Sequence, residues 1–488
     1  MRWSRAVLVL LMLIDVWYRA HTFGPDVRNA TGINFWPRTV GASEPLDCDE
    51  AAYAYIGHRV LQGDVLYRDL TENKPPLGYW LYTIAVGLGG YRELAIRIMA
   101  IPFVLLTMAV VWWIALRLGG PVSACVAAGL YGLLSTDPFL FGNGSNLEHF
   151  INLFSVLSLA LLIHGWDRTN RRWIFGSGVC LGAAALVKQV AVVHALVYVP
   201  ALVLRGWTRA VHARVTHPQA LAEEPPLAPP SQGGESEGND QGGEKEGSVR
   251  ALPSLRRWKP LPFPPLRRGD QGGSILAMAL GMVAIVAIAT AILLIRGGGR
   301  AAYDDIVLYG RALATDTLAE RNAPPATVRW LTGNADPRGE LPWPFGSTNY
   351  LVWWGTGSWP LWLISVPALA YLILGADTTA PRRLVAAWTL AAWLQVALPG
   401  LYWQHYYLLP IPGVAIVVAL ALADALTVLG RALRPGGPAS ARRVFLPACT
   451  AVVLLAALAG NVFLQVRDYL FVAPEQLTIR YKGGRQWV

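Results

Sequence analysis

The chain is 488 residues long, 54% hydrophobic and only 15% charged, with a mean hydropathy of +0.38. Soluble domains carry about 25% charged residues, so the composition excludes an ordinary soluble globular protein and predicts a polytopic membrane protein. The net charge of +10 does not require nucleic acid as a partner, because the basic residues lie between apolar runs, where membrane proteins collect Lys and Arg in cytoplasmic loops.

A membrane span needs about 20 predominantly apolar residues. Candidates are 6–20, 95–116, 121–140, 148–165, 173–188, 189–205, 274–295, 356–374, 383–400, 405–429 and 444–465, so the expectation is an all-α fold with about 11 transmembrane helices. Residues 1–18 have a basic start and an apolar core like a signal peptide, but no small-residue cleavage site follows, and they are expected to stay as the first span. Twenty Trp and 18 Tyr suit aromatic belts at the two interfaces. When the spans are threaded alternately, Arg2, Arg5, Arg117, Arg168, Arg171, Arg172, Arg205, Arg382, Arg383 and Arg431 fall on one side, which is then cytoplasmic. The loop 21–94, the turn 141–147, the loop 296–355, the turn near 401–404 and the tail 466–488 face outward. The run 173–205 is long for one span, and both of its flanks are basic. Two short helices meeting near Lys188 satisfy that constraint.

Three sections are expected: a transmembrane module over 1–205 with a helical outer loop 21–94, an insertion over 206–273, and a second transmembrane module over 274–488 with the outer loop 296–355. The insertion repeats a short pattern, as in PPLAPPSQGG at 225–234 and PPLRRGDQGG at 264–273, and lacks apolar residues to bury, so cytoplasmic disorder is expected there.

The richest chemistry lies in 46–80, LDCDEAAYAYIGHRVLQGDVLYRDLTENKPPLGYW. Asp47 with Glu50 three residues on has the form of a capping box, in which the two side chains satisfy backbone donors at a helix start. Asp49 has no capping duty and ranks first as a catalytic acid or base. It shares a helix face with Tyr53, four residues on. Arg68, Asp69, Glu72 and Lys74 follow, just before the stiff Pro75-Pro76 pair.

Farther on, Glu148 lies at the mouth of a span, where it could equally serve the local helix dipole. Lys188 lies inside LGAAALVKQVAVVHALV. A Lys there costs about 2.5–3.5 kcal/mol, so it faces a cavity, a partner or an anionic ligand unless it snorkels to the interface. Arg97, His405, Tyr406 and Tyr407 fall at the same outer level. There is no four-cysteine metal pattern, since Cys48, Cys125, Cys180 and Cys449 are scattered. No Gly-rich phosphate loop follows a strand, so a cytosolic nucleotide site is not expected.

Taken together, Asp49-Glu50-x-x-Tyr53, Gly63, Tyr67-x-Asp69, Lys74-Pro75-Pro76-Leu77, Ala95-x-Arg97, Glu148-x-Phe150, Gly182 to Lys188 and His405-Tyr406-Tyr407-x-x-Pro410 resemble the GT-C membrane glycosyltransferases of the family 39 type. Protein O-mannosyltransferases and the transferase that adds aminoarabinose to lipid A are of that type. The likeness runs over 1–205 and loosely through the late spans. The chain is expected to differ from larger members in lacking a C-terminal soluble domain, and it places Glu72-Asn73 before its Lys-Pro-Pro.

The resemblance implies a polyprenyl-phosphate sugar donor, a lipid, glycan or protein acceptor, and inverting transfer on the extracytoplasmic face, with the protein held among membrane lipids in a bacterial inner membrane. It implies Asp49 as the catalytic acid with Glu50 as partner, and Lys74, Arg97 and Lys188 as contacts to the donor phosphate. A divalent cation could lie between acid and phosphate, though no ligand cluster requires one. Bottom-up chemistry agrees: the acceptor hydroxyl needs a base, for which Asp49 is suited, and the leaving phosphate needs fixed cations. Two other classes share these features. A transporter or flippase would use Lys188, His194 and Arg97 along a path, but the two halves show no repeat of hydropathy. A polysaccharide polymerase or ligase would differ mainly in a longer outer loop.

Overall fold

The computed structural model describes residues 2–20, 46–137, 140–168, 170–216, 271–309, 359–375, 378–399, 404–432 and 441–471. The helices are α1 (Arg2–Ala20), α2 (Cys48–Leu61), α3 (Pro76–Gly89), α4 (Glu93–Ser135), α5 (Leu147–Arg168), α6 (Arg171–Val187), α7 (Ala195–Thr216), α8 (Gln271–Ile295), α9 (Gly299–Tyr303), α10 (Trp359–Leu374), α11 (Ala380–Ala397), α12 (Ile411–Ala432) and α13 (Ala441–Phe471). Short 3₁₀ segments cover Gln189–His194 and Gln404–Leu408, and a π-helical turn covers Asp304–Tyr309. Among the described residues the only β feature is one bridge, Leu66 with Leu70. The protein is an all-α polytopic membrane protein, as expected.

The described part of each predicted span is mainly helical, with shifted bounds and with 3₁₀ segments opening the spans expected at 189–205 and 405–429. Among the described residues, four helical stretches are long and apolar enough to cross a membrane: Glu93–Ser135, Leu147–Trp166, Gly273–Ile295 and Gln404–Arg431. The spans expected at 95–116 and 121–140 are the two arms of α4, which bends where Gly120 takes φ 86 ahead of Pro121. A positive φ is open to Gly at little cost, and Pro121 removes a helix donor, so the reversal is built into that dipeptide. The second arm stops at Ser135 rather than 140, with Thr136 as its cap, and a short turn over 140–144 leads on toward α5. The insertion expected at 206–273 is helical at its start, since α7 runs to Thr216; residues 217–270 lie outside the described residues. So do most of the outer loop 296–355, beyond residue 309, and the tail from residue 472.

The helices run alternately between two ends. At the basic end, Arg382 donates from Nε and Nη2 to the Leu118 carbonyl at 2.9 and 2.7 Å and pairs with Asp424 at 2.6 Å. Arg205 there donates to the Trp166 carbonyl. The other end carries α2, α3 and the turns around residues 68, 145, 188 and 405. α6 and α8 meet through small residues: a Cβ on Gly178 would collide with the Met278 carbonyl, and one on Gly281 with the Phe175 carbonyl. Close backbone approach of this kind is how helices pack where lipid offers no hydrophobic gain. The outer face of α8 exposes Leu276, Leu280, Val283 and Ile288, a surface suited to lipid rather than water.

α1 is fastened from within. Arg19 pairs with Asp15 at 3.0 Å and donates to the carbonyls of Gly142 and Ser135 at 2.8 and 3.0 Å. A buried acid needs this compensation.

Candidate active site

α2 begins as its sequence dictates. The Asp47 N–H donates to Glu50 Oε2 at 3.1 Å, closing a capping box. The other oxygen of Glu50 accepts the N–H of Ser145, 95 residues away, at 2.6 Å. Glu50 is buried, with a backbone donor on each oxygen. It thus ties the start of α2 to the turn ahead of α5. Ser145 Oγ in turn donates to the Ile96 carbonyl at 2.5 Å and lies 3.5 Å from that of Arg97, so the same turn grips the start of α4.

That framework leaves Asp49 facing out, with a side chain 34% exposed. Tyr53 donates to Asp49 Oδ2 at 3.0 Å. Burial, then the Asp49 charge, pushes the Tyr53 phenol well above its ordinary range, so it remains a donor. Tyr79 and Tyr82 pack edge-on against the Tyr53 ring, at 5.6 and 5.4 Å between centroids. They come from α3, whose first turn is set by Pro76 at a position where proline loses nothing.

Lys74 stands at the entrance to α3. Its Nζ lies 5.0 Å from the Tyr53 ring centroid and 3.8 Å from Glu72 Oε1. The loop carrying it is held by Tyr67, which adopts φ 70 and donates to the Lys74 carbonyl at 2.7 Å. A left-handed tyrosine costs about 1–3 kcal/mol and persists where surrounding structure holds it. Asp69 closes the same loop by accepting the Val65 N–H at 2.8 Å, and with Arg68 bonded to it the Asp69 carboxyl is held down at about 2. The Glu72 N–H donates to Asp305 Oδ2 at 3.3 Å, and Gln189 Nε2 to the Asn73 carbonyl at 3.3 Å.

The inner part of the site is charged and nearly buried. α6 ends at Lys188, which is extended at φ −156, ψ 126 before the 3₁₀ segment. The expected break is therefore at this residue. Its Nζ pairs with Glu148 Oε1 at 2.8 Å, the two side chains being 9% and 2% exposed. The same Nζ sits 3.8 Å over the Tyr406 ring, a cation–π contact strengthened by desolvation. His405 Nε2 lies 3.8 Å from Asp49 Oδ2 and 4.0 Å from Glu148 Oε1. These are electrostatic separations, longer than hydrogen bonds. Asn152, one turn along α5 from Glu148, donates to the Leu408 carbonyl at 2.8 Å and fixes the 404–408 turn over the site.

Seven of the nine candidate residues thus form one connected cluster: Lys74, Tyr53, Asp49, His405, Glu148, Lys188 and Tyr406. Glu50 braces it from behind. Arg97 is buried beside the Ser145 turn through its carbonyl. Asn152, Tyr67, Asp305 and the Asp15–Arg19 pair were not singled out from sequence as supports. Asp15 and Arg19 carried a readable signal, an i, i+4 ion pair inside an apolar run. Among the described residues, no group of three His, Cys, Asp or Glu side chains is placed to hold a metal ion.

Residues 73–222 match the family of dolichyl-phosphate-mannose-protein mannosyltransferases. The match takes in Lys74, Arg97, Glu148 and Lys188 and leaves Asp49, Glu50, Tyr53, His405 and Tyr406 outside it, a shorter reach than the 1–205 expected. The resemblance to GT-C membrane glycosyltransferases holds over that stretch. No curated protein matches the chain. Among solved structures, the Archaeoglobus fulgidus oligosaccharyltransferase tethered to an acceptor peptide is 15% identical with a TM-score of 0.48, covering 97% of this chain and 56% of its own. ArnT from Cupriavidus metallidurans bound to undecaprenyl phosphate is 16% identical with a TM-score of 0.43, covering 99% of this chain and 74% of its own. The chain therefore spans little more than half the length of the archaeal enzyme.

Proposed function

We propose that the protein is an integral membrane glycosyltransferase that moves a sugar from a polyprenyl-phosphate-linked donor to an acceptor hydroxyl at the extracytoplasmic face, with inversion. The observation that carries this reading is the joining of a half-open carboxylate, Asp49, to a buried cation, Lys188, through His405 and Glu148. The family match over 73–222 supports the reaction class.

In this reaction Asp49 takes the proton of the acceptor hydroxyl as its oxygen attacks the anomeric carbon. The bond from that carbon to the phosphate oxygen breaks, and the electron pair leaves with the polyprenyl phosphate. A positioned base contributes about 10²–10⁴-fold. Lys188 and Lys74 then face the charge that gathers on the phosphate, where fixed cations count most because water is scarce. Tyr53 orients Asp49, and Glu50 is a positioning residue that holds α2 against the Ser145 turn. The alternation of basic and site-bearing ends favours the extracytoplasmic side for the cluster, by the positive-inside rule.

The test incubates purified protein with a panel of polyprenyl-phosphate sugars, detects bound donor by mass spectrometry, and then follows transfer. Asp49→Asn is expected to lower transfer by at least about 10²-fold while the protein still inserts and binds donor. Transfer at the wild-type rate in that variant would overturn the assignment of the base.

A further inference from the structure

His405 has no direct duty in that chemistry, yet it is buried between two carboxylates. The groups that face it are Asp49 from α2 and Asp47 at its N-cap, Glu148 from α5, Lys188 from the break after α6, and Tyr406 beside it, edge-on at 4.8 Å. In the free protein Lys188 neutralises Glu148 at 2.8 Å. A donor phosphate that takes Lys188 removes the partner of a buried carboxylate and adds an anion of its own. Leaving such a charge unpaired in a dry site costs several kcal/mol. The Tyr406 ring, 3.8 Å from the Lys188 Nζ, is a second contact of that cation that does not depend on Glu148. His405 Nε2 then lies within ion-pair reach of Glu148 Oε1, at 4.0 Å.

Resting on the reading of the site as a donor-phosphate site, we propose that His405 is a proton-linked counter-charge: when a phosphodiester occupies Lys188, His405 takes up a proton at Nε2 from the buffered solvent and becomes the cation shared by Glu148 and Asp49. Asp49, a third exposed, gives the proton its route from solvent. The balance is simple. One anion enters, one proton enters, and the charge of the site is unchanged. His405 is thus a positioning residue that couples donor binding to the base, since its imidazolium also faces Asp49 Oδ2 at 3.8 Å.

The test uses wild-type protein in lipid nanodiscs and undecaprenyl methyl phosphate, a phosphodiester with one fixed charge and no titration of its own near neutrality. Titration calorimetry in two buffers of different ionisation enthalpy reads the protons exchanged. Wild type is expected to take up about one proton per lipid bound, and its affinity to fall by up to about tenfold per pH unit where His405 is neutral in the free protein. His405→Gln is expected to bind with no proton uptake and a flat pH dependence. Glu148→Gln, which frees Lys188 in advance, is expected to bind more tightly than wild type. Wild-type binding without proton uptake, or uptake that persists in His405→Gln, would overturn the inference while leaving the donor-site reading intact. No binding of the phosphodiester by wild-type protein would overturn both. The wild-type buffer pair is decisive even if a variant fails to fold.

Discussion

The Glu148–Lys188 pair permits a stability test that needs no substrate. At 2.8 Å and nearly buried, the two charges attract by about 6 kcal/mol at an effective dielectric of 20, most of which is offset by the cost of taking both out of water. Removing one partner is a different perturbation from removing both. Lys188→Met leaves Glu148 buried without its 2.8 Å partner, His405 Nε2 lying 4.0 Å away, and is expected to cost about 3–5 kcal/mol. Glu148→Gln strands Lys188, but the Tyr406 face at 3.8 Å still holds it, and that contact is worth about 2 kcal/mol when desolvated. The loss should therefore be the smaller of the two. The double variant, Glu148→Gln with Lys188→Met, should recover most of the loss, because no lone charge remains. The assay is unfolding of the four proteins in a common detergent, read as a double-mutant cycle. A double variant no more stable than Lys188→Met, or single losses under about 0.5 kcal/mol each, would refute the claim that the two groups form a dry, mutually dependent pair.

Glu50→Ala should destabilise the protein by about 2–4 kcal/mol, since the N–H groups of Ser145 and Asp47 both lose their acceptor, whereas Asp49→Asn should stay within about 0.5 kcal/mol; thermal unfolding of the two variants side by side checks the division between brace and base. Tyr53 has a phenol whose folded-state pKa is raised above its unfolded value, so the stability this contributes is complete below about pH 10 and declines as pH rises further. The stability advantage of wild type over Tyr53→Phe should accordingly narrow by up to about 1.4 kcal/mol per pH unit above that point. A constant difference between pH 8 and pH 11 would contradict the buried, neutral phenol.

What could be read from sequence divides along a physical line. The elements were legible wherever their signals are local: the capping box at Asp47 and Glu50, Pro76 opening α3, and the charge that breaks an apolar run at Lys188. The level of each polar residue was legible too. Spanning helices are all fitted to one thickness of lipid, so residues just beyond the ends of apolar runs must surface together, and Asp49, Glu148, Lys188 and His405 do.

The direction each residue faces around its helix is set by packing between segments far apart in the chain, and no local signal carries it. Glu148 and Lys188 each had a separate bland explanation, a helix dipole for one and snorkelling for the other. Their true partner was each other, 40 residues apart. Glu50 shows the same limit within a single side chain. The oxygen that caps its own helix follows from a three-residue spacing, and the oxygen that reaches Ser145 follows only from how α2 lies across the turn before α5. That second contact decides its role, because a carboxylate with a backbone donor on each oxygen has little left to offer a substrate, while Asp49, one residue earlier and pointing outward, remains open to one.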